Sequence, residues 1–131
     1  MTRASAPFDF RKGSEIRHNG EFIQPDFVQK VLAELPEVDD VYVYGIPAKS
    51  GAPGEKDVVA ALVLVEGAVF DPPQFFNACA AHLERNQIPW YVQVLLEIPK
   101  TASEKPQDRY LIDDLRQRHS PVYEFEDYAG R

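Results

Sequence analysis

The run Val58-Val59-Ala60-Ala61-Leu62-Val63-Leu64-Val65 contains no polar side chain, so an extended chain here is apolar on both of its faces. A half-buried strand alternates polar and apolar residues, and an amphipathic helix leaves polar gaps at its own period; this run does neither. It predicts a central strand covered on both sides, or a strand with an unusually apolar exposed face, ending at Glu66-Gly67. Upstream, Val41-Tyr42-Val43-Tyr44-Gly45-Ile46 is a β-branched and aromatic run closed by Pro47, and Ser50-Gly51-Ala52-Pro53-Gly54 forces a loop before the apolar run begins. Downstream, Asp71 can cap a helix with Pro72 in its first turn, and Phe75, Phe76, Cys79, Ala80 and Leu83 form the stripe of a helix lying on a sheet. Ile88-Pro89 then breaks the chain, and Tyr91-Val92-Gln93-Val94-Leu95-Leu96 reads as a third strand.

Further out, Phe27, Val28, Val31, Leu32 and Leu35 recur at helical spacing between Pro25 and Pro36, with Gln29, Lys30 and Glu34 outside. A short helix is expected around Asp108 to Arg118. Residues 1–8 read as a flexible lead-in, and the last dozen residues, with Tyr123, Phe125 and Tyr128 among acidic groups, as a tail that docks weakly or not at all. The expected fold class is α+β: a small sheet of about three main strands plus a short N-terminal hairpin, with helices packed on it.

A length of 131 residues, with 44% hydrophobic and 27% charged, suits one compact domain. The net charge of −7 argues against a general nucleic-acid binder, because neutralising phosphates requires a basic face. That charge is uneven: residues 31–72 carry −6, whereas Arg11, Lys12, Arg17 and His18 form a locally basic patch. One cysteine, Cys79, cannot form an internal disulfide, which points to a reducing compartment and a cytoplasmic protein. The longest apolar run is less than half of what a bilayer span needs, and Met-Thr-Arg-Ala-Ser-Ala-Pro lacks the apolar segment of a signal peptide.

The usual catalytic constellations do not occur. His18, His82 and His119 show no metal spacing and read as surface residues, so no metal site is expected; there is no Cys-x-x-Cys, no Gly-x-Ser-x-Gly and no phosphate-binding Gly-x-x-x-x-Gly-Lys loop. Cys79 lies within an apolar stripe without a basic neighbour and reads as packing, as do Trp90 and Tyr91. The segments that could carry chemistry lie on loops: Arg11 to Ser14, His18-Asn19-Gly20-Glu21, Tyr44-Gly45-Ile46-Pro47, Gly54-Glu55 and Lys100 to Lys105.

Taken in order, Arg11 with Ser14, Asn19-Gly20-Glu21-Phe22-Ile23-Gln24-Pro25, Tyr44-Gly45-Ile46-Pro47, Gly54-Glu55, Ile88-Pro89 and Pro99-Lys100-Thr101-Ala102-Ser103-Glu104-Lys105 make a pattern. It resembles the C-terminal domain of AMP-forming acyl-CoA synthetases, within the acyl-CoA ligase, luciferase and peptide-synthetase adenylation superfamily. Each fragment alone is weak, whereas the ordered set, covering about residues 9–117, is specific. The resemblance implies a lid domain over 9–118, followed by a tail over 119–131. It implies that a larger N-terminal adenylation domain binds ATP with Mg2+ and a small carboxylic acid, while the lid presents a different face in each half-reaction.

In that scheme Lys105 matches the adenylation lysine, whose ammonium bridges phosphoryl oxygens as negative charge builds on them. Asn19, Gly20 and Glu21 match the glycine loop that faces coenzyme A, and Gly13 and Ser14 are the hinge. The chain alone is not expected to turn over. Two alternatives stay open: a non-catalytic interaction module that keeps the lid fold, which Glu104 and Pro106 on either side of Lys105 favour, and the lid of a domain that charges a carrier protein.

Overall fold

The computed structural model describes residues 16–18, 20–99 and 108–128. The apolar run forms β4 (Lys56–Leu64), the second strand of a four-stranded sheet. It pairs antiparallel with β3 (Val38–Pro47) and parallel with β5 (Tyr91–Leu95), and β6 (Val122–Glu124) adds an antiparallel edge beyond β5, giving the order β3-β4-β5-β6. A separate hairpin, β1 (Ile16–His18) with β2 (Glu21–Ile23), lies against β4. β3 starts three residues earlier than the sequence suggests, absorbing the acidic Asp39-Asp40 pair at an irregularity in its register between Val38 and Asp40.

Both faces of β4 are covered. Val58, Ala60 and Leu62 point to one side, where they pack with Val41, Val43 and Val92 beneath α1 (Pro25–Ala33) and α2 (Pro72–His82). Val59 and Ala61 point to the other side and join Tyr42, Tyr44 and Ile98 beneath Leu111 and Leu115 of α3 (Asp108–Gln117). Because β4 and β5 run parallel, the chain must return to the same end of the sheet between them, and α2 makes that crossover. Its start is fixed by Asp71, whose carboxylate accepts the Gln74 N–H at 3.1 Å, and by Pro72 and Pro73 in the first turn.

The second face carries a buried polar network. Gln93 on β5 is 0% exposed; it accepts the Tyr44 hydroxyl proton through its side-chain oxygen and donates through Nε2 to the Leu111 carbonyl at 3.2 Å and to Asp114 at 3.3 Å. Tyr42 donates its hydroxyl to Asp108 at 2.6 Å. These bonds satisfy groups that would otherwise be costly to bury, and they fix α3 against β3 and β5. Burial, followed by the nearby Asp108 and Asp114 carboxylates, pushes the Tyr44 phenol well above its ordinary pKa.

Residues 119–128, the described part of the C-terminal segment, depart from the sequence reading of a tail that docks weakly or not at all. β6 pairs with β5, Phe125 is buried against Phe76 and Trp90, and Tyr128 stacks on Phe76 with ring centroids 5.6 Å apart. The acidic neighbours are accommodated on the outside, where Arg118 pairs with Glu124 at 2.7 Å and Lys49 with Glu126 at 3.0 Å. The lead-in 1–8 lies outside the described residues. Among the described residues no helix is long and apolar enough to cross a membrane.

Cys79 faces the core from α2, and burial, with a smaller contribution from Glu37, pushes its thiol from 9.0 up to about 12. The unfolded thiol ionises first on raising the pH, so the native state keeps this contribution below about pH 9 and loses it progressively towards pH 12, by about 1.4 kcal/mol per pH unit. Unfolding free energies measured across that range should fall less steeply in Cys79→Ala than in the parent chain. Parallel slopes would contradict the assignment.

Candidate functional site

The β1–β2 hairpin is three residues long on each side, with Ile16 opposite Ile23, Arg17 opposite Phe22 and His18 opposite Glu21. Ile16 and Ile23 are buried and anchor it to the sheet. A Cβ on Gly45 would stand 3.1 Å from Ile16 Cγ1 and 3.2 Å from Lys56 Cδ, so glycine in Tyr44-Gly45-Ile46-Pro47 lets both side chains lie close to β3 without shifting. At the turn itself Gly20 adopts φ +81°, a conformation that L side chains rarely adopt, and a Cβ there would meet nothing within 4 Å among the described residues. At Gly20 the turn therefore presents backbone without a side chain.

Polar ties hold that backbone. The Gly20 N–H donates to Glu55 Oε2 at 3.3 Å, and Arg17 Nε lies 3.3 Å from the same oxygen. His18 Nδ1 is 2.9 Å from the Lys56 carbonyl, which can only accept, so the proton is on Nδ1; Asp57 Oδ1 is 3.5 Å away. Glu21 accepts from Asn86 Nδ2 at 2.5 Å, tying β2 to the short 3-10 turn Arg85–Gln87. Behind the hairpin, His18, Val58, Arg85, Asn86, Ile88, Trp90 and Phe125 line a cavity of about 40 Å³. The indole N–H of Trp90 is buried there without a hydrogen-bond partner among the described residues.

The base of the hairpin continues into a charged cluster. Asp57, 4% exposed, accepts the Lys49 N–H at 2.9 Å. The Glu126 hydrogen bond raises the pKa of Lys49, and that of Tyr91 is raised by burial and then by the Asp57 and Glu124 carboxylates. Both shifts favour the protonated forms: a charged ammonium and a neutral phenol.

Of the residues singled out from the sequence, Gly20 and Glu21 come together at this turn. Asn19, the hinge pair Gly13 and Ser14, and Lys105 lie outside the described residues. Glu21 does not cap the following helix: α1 begins after Gln24 with no side-chain cap, and the Glu21 carboxylate goes to Asn86 instead. His18 is not the surface residue expected of it, since its side chain is 14% exposed and bonded to Lys56. Trp90 packs between His18 and Phe125, as the packing reading expects. The ties from Glu55, Lys56 and Asn86 were not foreseen; their nearest signal is the Gly54-Glu55 pair, which the ordered motif set contains without a role.

No protein-family model matches the sequence. The chain is 34% identical over 126 residues to the medium/long-chain-fatty-acid–CoA ligase FadD17 of Mycobacterium marinum, covering 95% of this chain and 24% of that protein. It is 25% identical over 95 residues to the crotonobetaine/carnitine–CoA ligase of Escherichia fergusonii, covering 72% of this chain and 18% of that one. Among solved structures, o-succinylbenzoate CoA synthetase (MenE) from Bacillus subtilis, in complex with the acyl-adenylate intermediate OSB-AMP, superposes with a TM-score of 0.67. That match is 30% identical and covers 77% of this chain and 20% of that structure. The chain thus spans no more than about a quarter of the length of the curated relatives it matches. By sequence and by fold, it belongs with the AMP-forming acyl-CoA ligases, aligned with the C-terminal domain region of those enzymes.

Proposed function

We propose that this chain is the mobile C-terminal lid of an ATP-dependent, AMP-forming acid–CoA ligase. Its residues 9–118, with the docked β6 segment, supply the adenylation lysine and the CoA-facing glycine turn. The observation that carries the reading is the Gly20 turn: exposed backbone at φ +81°, open space where a side chain would stand, and polar ties beneath it. Such a surface admits the close approach of a slender ligand, and the thiol-bearing arm of coenzyme A is one.

The chemistry divides into two steps. In the first, a carboxylate oxygen of the acid attacks the α-phosphorus of ATP, the bond to the bridging oxygen breaks, and pyrophosphate leaves with the acyl-adenylate formed. Negative charge grows on the phosphoryl oxygens, and the Lys105 ammonium, delivered into a closed site, stabilises it. The N-terminal domain that the length of the relatives implies holds the ATP, as its Mg2+ complex, and the acid. In the second step the lid rotates about Gly13 and Ser14, Lys105 withdraws, and Asn19, Gly20 and Glu21 face the site. The thiol, giving up its proton, attacks the acyl carbon, and AMP leaves with the electron pair of the broken bond. The single cysteine, buried and protonated, fits a reducing, cytoplasmic setting.

In the full-length enzyme, Lys105→Ala should lower acid-dependent ATP–pyrophosphate exchange by roughly a hundredfold or more, while thioester formation from a supplied acyl-adenylate persists. Undiminished exchange would remove the lysine from its role. The complementary variant is Gly20→Asn, since asparagine tolerates positive φ and adds bulk without unfolding the turn. It should slow thioester formation by roughly tenfold or more and leave pyrophosphate exchange intact, and an unchanged thiol-transfer rate would contradict the CoA-facing assignment.

A further inference from the structure

Glu55 is assigned no part in the scheme above, yet the glycine turn hangs from it. Two three-residue strands do not make a rigid hairpin in water, and glycine at the turn adds conformational freedom, so the shape of the turn must be imposed from outside. Glu55 Oε2 accepts the Gly20 N–H at 3.3 Å while standing 3.3 Å from Arg17 Nε, across a sequence separation of 35 residues from Gly20. The Glu55 side chain is 16% exposed against 53% for Arg17, so the carboxylate is largely withdrawn from water and its bond to the turn is charge-assisted. Its own backbone is pinned: the Glu55 N–H donates to the Ala52 carbonyl at 3.1 Å and its carbonyl accepts the Ala48 N–H at 2.9 Å. The next residue, Lys56, opens β4 and takes His18 on its carbonyl.

We propose that Glu55 is a positioning residue for thiol transfer, transmitting the rigidity of β4 to the Gly20 backbone, with Arg17 neutralising its charge so that a polyanionic ligand is not repelled. This rests on the reading of the Gly20 turn as the face that meets coenzyme A. Removing the carboxylate frees the Gly20 N–H and lets the turn sample other shapes; the core is untouched.

The test uses the full-length enzyme supplied with preformed acyl-adenylate. Glu55→Ala should lower kcat/KM for coenzyme A by roughly tenfold or more, with pyrophosphate exchange and thermal midpoint unchanged. Glu55→Gln, whose amide oxygen still accepts the Gly20 N–H, should recover most of the loss. Unchanged CoA kinetics in Glu55→Ala overturns the proposal, and so does an equal loss in both half-reactions, which would mark a merely structural role. Gly20→Asn separates the two readings. Impairment there with a silent Glu55→Ala removes only the positioning role, whereas silence in both removes the CoA-facing turn itself.

Discussion

A strand whose side chains are apolar from Val58 through Val63 must be shielded on both faces, since each buried valine or leucine is worth about 1.5–3 kcal/mol and none of that is gained on a face left wet. One layer of helices cannot do this. The chain covers β4 with α1 and α2 on one side and with α3 on the other, and the parallel neighbour β5 follows because α2 must return across the sheet before α3 can reach the opposite face. The two faces are then distinguished by chemistry: one is aliphatic and aromatic, while the other is drawn together by Tyr42, Tyr44, Gln93, Asp108 and Asp114.

That two-sided core explains how a minimal hairpin can hold a defined shape. β1 and β2 lack the length to be stable by themselves, so their order is borrowed from β4 through Ile16 and Ile23 in the core and through polar contacts to Glu55 and Lys56 at the entry of the strand. At the other face, Asp108, three residues beyond Lys105 in the chain, is held by the Tyr42 hydroxyl. The glycine turn and the start of α3 are thus both referred to the same sheet. Under the proposed function, in which the domain presents different faces in two half-reactions, such a frame lets both surfaces move as one body and arrive in register.

The apolar run, the Asp71-Pro72 start of α2 and its buried Phe75, Phe76 and Cys79 were legible because each is a local pattern whose period matches its element, although Ala80, expected in the same stripe, is exposed and Leu83 lies just past the helix end. The packing of Phe125 was not legible, since a three-residue strand has no period to read and its acidic neighbours suggest a solvated tail; what decides it is the aromatic recess formed by Phe76 and Trp90. The burial of Gln93 was hidden for a related reason: its partners, Tyr44, Leu111 and Asp114, lie on elements 18 or more residues away. At the candidate site, Gly20 and Glu21 stood out through the order of motifs along the chain. Their attachments to Glu55 and Asn86 are long-range contacts between side chains and backbone or amide groups, which no spacing rule records.

The most direct measurement of the central claim is the distance between this domain and the N-terminal domain in the full-length enzyme, read by pulsed electron-spin resonance. One label would sit at Ala81→Cys on the exposed side of α2, where the buried Cys79 does not compete for it, and its partner on the N-terminal domain. A lid that serves both half-reactions gives one distance with ATP and acid and a clearly different one with a non-hydrolysable acyl-adenylate analogue and coenzyme A. The same single distance in both states would contradict the account.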